Sequence, residues 1–226
     1  KTGLAAKDLP IFCCDGEDGE YIPWALLEEF ACKAYFKREL VRYYPRFDPW
    51  RYSKSFFVFP LQFSAFTRSF QPEEKEKSID IFLSLGYTHE GRVRLMRTIA
   101  DLAFKWNLEH WLDIDALPAE LSDLKPFIQG RLGWLNYMRK QSQAKVTPVM
   151  RGFGRDTLHQ WEAPQSGTCM LYCDPNLYIP YPFEDQEHCL YFQEDCSDVK
   201  SKLSYLLTNA FTIRSPAYFV AEYMVS

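Results

Sequence analysis

Residues 79–86 read IDIFLSLG, apolar at nearly every position. A Gly-containing loop follows, and then a stretch in which Leu95, Met96, Ile99, Leu102, Ala103 and Trp106 recur on one helical face. A strand that is apolar on both faces has to be covered on both, as strands are in a parallel sheet flanked by helices. Strand, loop and helix form the opening unit of a Rossmann-like domain. The rest of the chain keeps the alternation: RLGWLNYMRKQ predicts a helix, AKVTPVM a strand, DTLHQWEA a helix beginning at Asp156, GTCMLYC and HCLYF strands, and DVKSKLSYLLTN a helix starting at Asp198. The expected class is α/β with a mostly parallel sheet.

The part before this strand is shorter and less regular. It predicts a strand from Leu9 to Cys14, an acidic loop DGEDGE (15–20), and a helix within WALLEEFACKAYFKREL. In that helix Leu26, Leu27, Phe30, Ala31, Ala34 and Tyr35 face a sheet, while Lys33, Lys37 and Arg38 lie away from them. Three prolines in YYPRFDPWRYSKSFFVFP favour extended structure or turns. The polar run QPEEKEKS (71–78) marks a boundary, giving an N-terminal part, 1–75, and a Rossmann-like domain, 76–226.

Of the 226 residues 47% are hydrophobic and 25% charged, with ten glycines and fourteen prolines, which excludes disordered, collagen-like and disulfide-stapled classes. Twenty-six basic against thirty acidic residues leave a net charge of −4. This removes the uniform attraction on which non-specific nucleic-acid binders rely, so nucleic acid is not an expected partner. Seven cysteines, an odd number without a CxxC pair, are expected to be mostly reduced. Cys169 and Cys173 read as core rather than as metal ligands. No HxxxH, GxSxG or GxxxxGK[ST] occurs, which argues against a metal triad, an α/β-hydrolase and a P-loop enzyme. No window is long and apolar enough for a signal peptide or a membrane span, so the expected compartment is the cytoplasm. A lumen replaces it if the chain, which opens on Lys1, is a piece of a longer secretory-pathway protein.

Chemistry concentrates in PVMRGFGRDTLHQWEAPQSGTCMLY, residues 148–172. Gly152 and Gly154 let backbone approach a ligand, and Asp156 and Thr157 can cap the next helix, whose N-terminus attracts phosphate. Glu162 lies where a carboxylate could accept hydrogen bonds from ribose hydroxyls. The alternative is a tight turn followed by a solvated glutamate.

The string RGFGRDTLHQWEAPQSGTCMLYCDPNLYIPYPFEDQEHCLYF resembles the C-terminal half of exostosin-like glycosyltransferases, with the pattern "prGfG-dT-R-wEa-a-G-vpl" and then "pfed". KSIDIFLSLGYTHEGRVRLMRTI resembles that family's "iDvFFsG…R..ll..l", and CKAYFKREL with PLQFS is similar to its "vfKReL…plpfs"; together these blocks run from about residue 31 to 213. The resemblance implies a GT-B fold, two Rossmann-like domains, with 1–75 supplying only the last strands and helices of the first. It implies a donor nucleotide sugar, UDP- or GDP-linked, a glycan or glycoconjugate acceptor, and no metal or other cofactor. Carried onto this sequence, Ser84 and Gly86 form a first phosphate-side loop and Arg94 points to the diphosphate. Arg151, Gly152, Gly154, Asp156 and Thr157 form a second loop, and Glu162 binds the ribose. The alternative for Arg92, Arg94 and Arg97 is a solvated basic helix face. Where the family often has an arginine shortly before its glutamate, this chain has His159 and Gln160. An inverting transfer needs a base near the acceptor hydroxyl. Asp15, at the carboxyl end of a first-domain strand, is the candidate, with Glu17 or Asp18 serving equally and a solvated acidic turn as the alternative. A non-catalytic carbohydrate- or nucleotide-binding module is the rival function, and a methyltransferase lacks its GxGxG loop here.

Overall fold

The computed structural model describes residues 10–42, 56–63, 70, 72, 76–102, 105–113, 118–128 and 130–209. Leu9, where the first strand was expected to start, Ala103, expected on the apolar face of the following helix, and most of the aromatic and proline-rich run, 43–55, lie outside these. The chain divides into two compact units, the first comprising 1–63, 154–156 and 176–182, the second 64–153, 157–175 and 183–226.

The first unit carries a parallel sheet of β1 (Ile11–Asp15), β2 (Cys32–Lys37) and β3 (Phe57–Pro60), in that order, with a short helix α1 (Trp24–Glu29) between β1 and β2. The helix expected within 24–40 therefore stops at Glu29, and its expected face positions Ala34 and Tyr35 lie in a strand. Phe30 closes α1, Ala31 takes a left-handed φ of 49°, and the chain turns into β2. Pairing with strands on both sides decides the outcome: Tyr35 and Cys32 join Leu27, Ile22 and Val58 in a core that no continuous helix here could reach. Leu26 and Phe30, expected on the buried face, are exposed.

The second unit is a five-stranded parallel sheet in the order β5-β4-β6-β7-β8: β4 (Ile79–Gly86), β5 (Leu108–Asp113), β6 (Ala144–Val149), β7 (Cys169–Cys173) and β8 (Leu190–Phe192). Helices α2 (Glu90–Ala100) and α5 (Val199–Thr208) cover one face, where Ile81, Leu83, Leu85, Val146 and Leu171 meet Leu95, Ile99, Leu203 and Leu206. Helices α3 (Trp134–Ser142) and α4 (His159–Gln165) cover the other. There Phe82 packs against Tyr137 and Met138, and the Tyr172 hydroxyl bonds Gln160. The strands read from sequence in this unit are present; β5 and a 3₁₀ segment at Ala119–Phe127 were not expected. All seven cysteines are free thiols, and Cys169 and Cys173 are buried in β7, where burial raises both thiols to about 12.

The helix expected from Asp156 begins three residues later, at His159, and no side chain caps it. Asp156 is engaged elsewhere. Its carboxylate accepts from the Phe63 amide at 2.7 Å and its own amide donates to Glu39, which holds 154–156 in the first unit. Gly167 follows the end of α4 at φ +68°.

Candidate active site

The chain leaves β4 for β5 on one side and then crosses to β6 on the other, so β4 and β6 are neighbours whose connections run in opposite directions. Open α/β sheets bind ligands at the carboxyl ends of strands at such a switch point. A cavity of about 670 Å³ lies there, a size typical of small-molecule sites, and every residue lining it belongs to the second unit. Ser84 and Gly86 contribute from the end of β4, the loop from Gly130 to Gly133 and Trp134 from the start of α3, and His159 and Glu162 from α4.

Arg92, the third residue of α2, dominates the electrostatics. It is only 7% exposed, and its guanidinium donates to three main-chain carbonyls: Arg151 O from Nε at 2.8 Å, and Gly86 O and Met150 O from its terminal nitrogens, each at 3.2 Å. These carbonyls follow or end β6 and β4, so the cation stands over the switch point. Among the described residues no carboxylate pairs with it, and burial pulls it down to about 10, still charged at neutral pH. An unpaired buried charge is costly, and an anion entering the cavity would supply the missing partner.

Glu162, also buried, accepts from the Trp134 indole N–H at 3.2 Å. Burial raises its carboxyl, against Trp134 and Tyr137, which favour the ionised form. The carboxylate thus keeps acceptor capacity within the cavity, as binding a hydroxyl requires. Its place in α4 is the fourth residue, within the first turn.

The other sequence candidates divide between the two units. Gly152 sits in the second unit close against Arg92: a Cβ there would approach the guanidinium and Thr88 Oγ1 to 3.1 Å. Arg151 accepts from Arg92 through its carbonyl, but its own side chain turns back to Phe153 O at 3.4 Å and does not line the cavity. Arg94 is on the exposed side of α2, donating to Glu194 O at 3.3 Å, and is not brought to the cavity. The arginine of α2 that lines the cavity is Arg92, because the residue that continues the stripe of Leu95, Met96 and Ile99 turns inward. Thr157 is buried, its hydroxyl has no partner among the described residues, and it is outside the cavity lining.

Gly154 and Asp156 belong to the first unit and serve a different arrangement. A Cβ on Gly154 would fall 2.6 Å from Asp18 and 2.7 Å from Glu39, so glycine is required for packing there. Glu39, 1% exposed, accepts from the amides of Arg155 at 2.8 Å and Asp156 at 3.1 Å. Arg38 binds Asp18, Gly16 O and Asp156 O. Asp15, the expected base, is fully engaged: Oδ1 accepts from the Glu17 amide at 2.9 Å and Oδ2 from the Tyr35 hydroxyl and from Lys37 Nζ at 2.8 Å. Burial pushes its carboxyl up, but Lys37, Tyr35 and the Glu17 amide outweigh that and hold it below the usual range. A carboxylate with three donors and a lowered pKa has little tendency to take up a proton, so this geometry lends the catalytic expectation for Asp15 no support. Asp18 is likewise tied to Arg38.

Arg92 and the loop Gly130–Gly133 are the site residues the sequence reading missed. Arg92 precedes Leu95 and Met96 by three and four positions, which is a signal of an inward-facing cation. The loop carries two glycines ahead of a helix, but nothing local shows which strand end it reaches.

No family model and no curated protein sequence matches the chain. Solved structures resemble it in fold. The GtfA/B complex superposes with a TM-score of 0.59 at 11% identity over 96% of this chain, and a mutant of S. aureus TarM, solved with fondaparinux, alpha-GlcNAc-glycerol and UDP, with 0.58 at 10% over 95%. Both are GT-B glycosyltransferases. The expected α/β class with a Rossmann-like parallel sheet is borne out. The chain spans about half of each neighbour, 50% and 48%. Among the described residues no helix is long and apolar enough to cross a membrane.

Proposed function

We propose that this chain is the donor-binding part of a glycosyltransferase, related to the exostosin-like family, that uses a nucleoside diphosphate sugar and transfers its sugar to a glycan or other hydroxyl acceptor. The observation that carries the reading is Arg92: a buried cation without a carboxylate partner, held by the carbonyls at the ends of β4 and β6 and facing the same cavity as Glu162. In this reading Arg92 receives the diphosphate, and its permanent charge stabilises the diphosphate as it leaves. Glu162 accepts from the ribose hydroxyls, held in orientation by Trp134. Ser84, Gly86 and Gly152 give the phosphates close access to backbone. The UDP present in the TarM structure makes a uridine donor the first to try.

Thermal-shift and calorimetric titration with UDP, GDP, UDP-glucose, GDP-mannose and the bare nucleosides tests this. A ligand at 100 times its Kd adds about 2.7 kcal/mol of stability. Diphosphates are expected to bind more tightly than nucleosides, and Glu162→Gln to weaken both nucleosides and diphosphates. No binding of any of the six would overturn the reading. A second reading, a non-catalytic nucleotide-binding module, is favoured by the full engagement of Asp15. It predicts binding without slow release of sugar from the donor.

A further inference from the structure

Arg92 and the exposed Arg131 bring two positive charges to the cavity lining and Glu162 one negative charge, whereas the diphosphate of a nucleotide sugar carries two negative charges. His159 stands beside this imbalance. It lines the same cavity, three residues before Glu162 on α4, so both side chains rise from one helix face. Its ring stacks on Tyr137, with centroids 5.7 Å apart and planes 26° from parallel, which restrains the plane of the imidazole. Among the described residues neither ring nitrogen has a hydrogen-bond partner. The charged and titratable groups that share the cavity with it are Arg92 from α2, Arg131 from the Gly130–Gly133 loop, Tyr137 from α3 and Glu162 from α4.

Resting on the nucleotide-sugar reading of this cavity, we propose that His159 is a second anion-contacting residue, donating from its imidazole to the diphosphate of the bound donor. Its protonation follows from its surroundings. Burial first, and the Arg92 guanidinium second, hold the free imidazole down to about 4, so the empty cavity keeps it neutral at physiological pH. A diphosphate beside it reverses that balance: two negative charges nearby favour the imidazolium, and the proton comes from solvent. Donor binding is then coupled to the uptake of one proton. In the pH window between the free and bound pKa values, affinity rises by up to about tenfold for each unit of pH lowered, the limit set by one linked proton. Glu162 acts with the opposite sign. Its ionised form is the better acceptor, so its titration alone makes binding stronger as pH rises.

The test uses UDP-glucose and GDP-mannose, whose diphosphates are diesters without an ionisation near neutral pH, on the whole chain between pH 5.5 and 8. Calorimetry in two buffers of different ionisation enthalpy reads proton uptake directly. Wild type is expected to take up a proton on binding and to gain affinity toward the acid side. His159→Gln should abolish both the uptake and the acid-side gain, and His159→Arg should abolish the uptake while keeping affinity high across the range. Circular dichroism and melting temperature confirm that each variant is folded. If His159→Gln retains wild-type uptake and slope, the inference fails and the nucleotide reading stands. If wild type binds with no uptake, the inference fails in the same way. If neither nucleotide sugar binds wild type, both fall together.

Discussion

Both units place charged side chains at the carboxyl ends of parallel strands, yet they treat those charges in opposite ways. In the first unit every charge at the end of β2 has its complement: Lys37 meets Asp15, Arg38 meets Asp18 and Glu39, and Glu39 also takes two amides. In the second unit Arg92 is given only carbonyl dipoles, and Glu162 an indole and a neighbouring phenol. A closed network of buried charges fixes a conformation and has nothing left for a ligand. An open one keeps its interaction energy for something that arrives. Sequence treats the two alike, since Arg38 and Arg92 each read as a solvated basic position beside an apolar stripe; the difference lies in the partners the fold brings.

The strongest way to break this contrast is to open the closed network. Glu39→Ala leaves two amides without their acceptor and takes away one of the two carboxylates beside Arg38, and losing one partner of a buried pair costs about 3–5 kcal/mol. Urea denaturation should show a loss of that size. A change below about 1 kcal/mol would mean that the network is not structural. A smaller loss, about 1.5–3 kcal/mol, is expected for Asp15→Asn, which keeps the shape but weakens the charge-assisted bonds from Lys37 and Tyr35. Here the pH sign follows from the lowered carboxyl. A folded-state pKa below the unfolded value of about 3.9 gives stability that is present above that value and lost as pH falls through the folded one. Wild type should therefore lose stability between about pH 4 and the folded pKa, and Asp15→Asn should lose less over the same interval. If Asp15→Asn instead keeps full stability and loses only transfer activity, Asp15 is the base after all.

The open network gives the reverse pattern. Arg92→Met removes a costly buried charge but leaves three carbonyls without their donor, so a modest stability loss of about 1–3 kcal/mol is expected. Diphosphate affinity should nonetheless fall roughly 10–150-fold, the equivalent of the charge-assisted bonds lost. Calorimetry with UDP and uridine reads it, with little change expected for uridine. Stability that drops by several kcal/mol while affinity holds would place Arg92 among the structural charges and erase the contrast between the units.

Legibility in the sequence follows how local each decision is. Strands β4, β6 and β7 are apolar on both faces and could be read directly, because runs this short and apolar fit a sheet covered on both faces. CKAYFK could not. Ala34 and Tyr35 suit a helical stripe continuing from Leu27 as well as they suit a strand, and only pairing with β1 and β3 decides. Glu162 was legible from the strand, glycine loop and helix that carry it. The roles of Asp156 and Gly154 were not, since both depend on Glu39, more than a hundred residues away in the chain.

The smallest expected effect also separates the family pattern from the geometry. Aligning motifs assigns the diphosphate to Arg94, whereas the helix turns Arg92 inward and leaves Arg94 exposed with a single 3.3 Å bond to Glu194 O. Exposed side chains of this kind change stability by no more than about 0.5 kcal/mol when removed. Arg94→Ala should thus leave melting temperature and UDP affinity near wild type, measured beside Arg92→Met under the same conditions. The two arginines are two positions apart on one helix, so long-range electrostatics act almost equally on both and cancel in the comparison. What remains is whether the guanidinium reaches the cavity. A large loss of UDP affinity in Arg94→Ala, with Arg92→Met unaffected, would show that the helix is rotated by about 160° to 200° in the bound protein, the angle that two residues subtend.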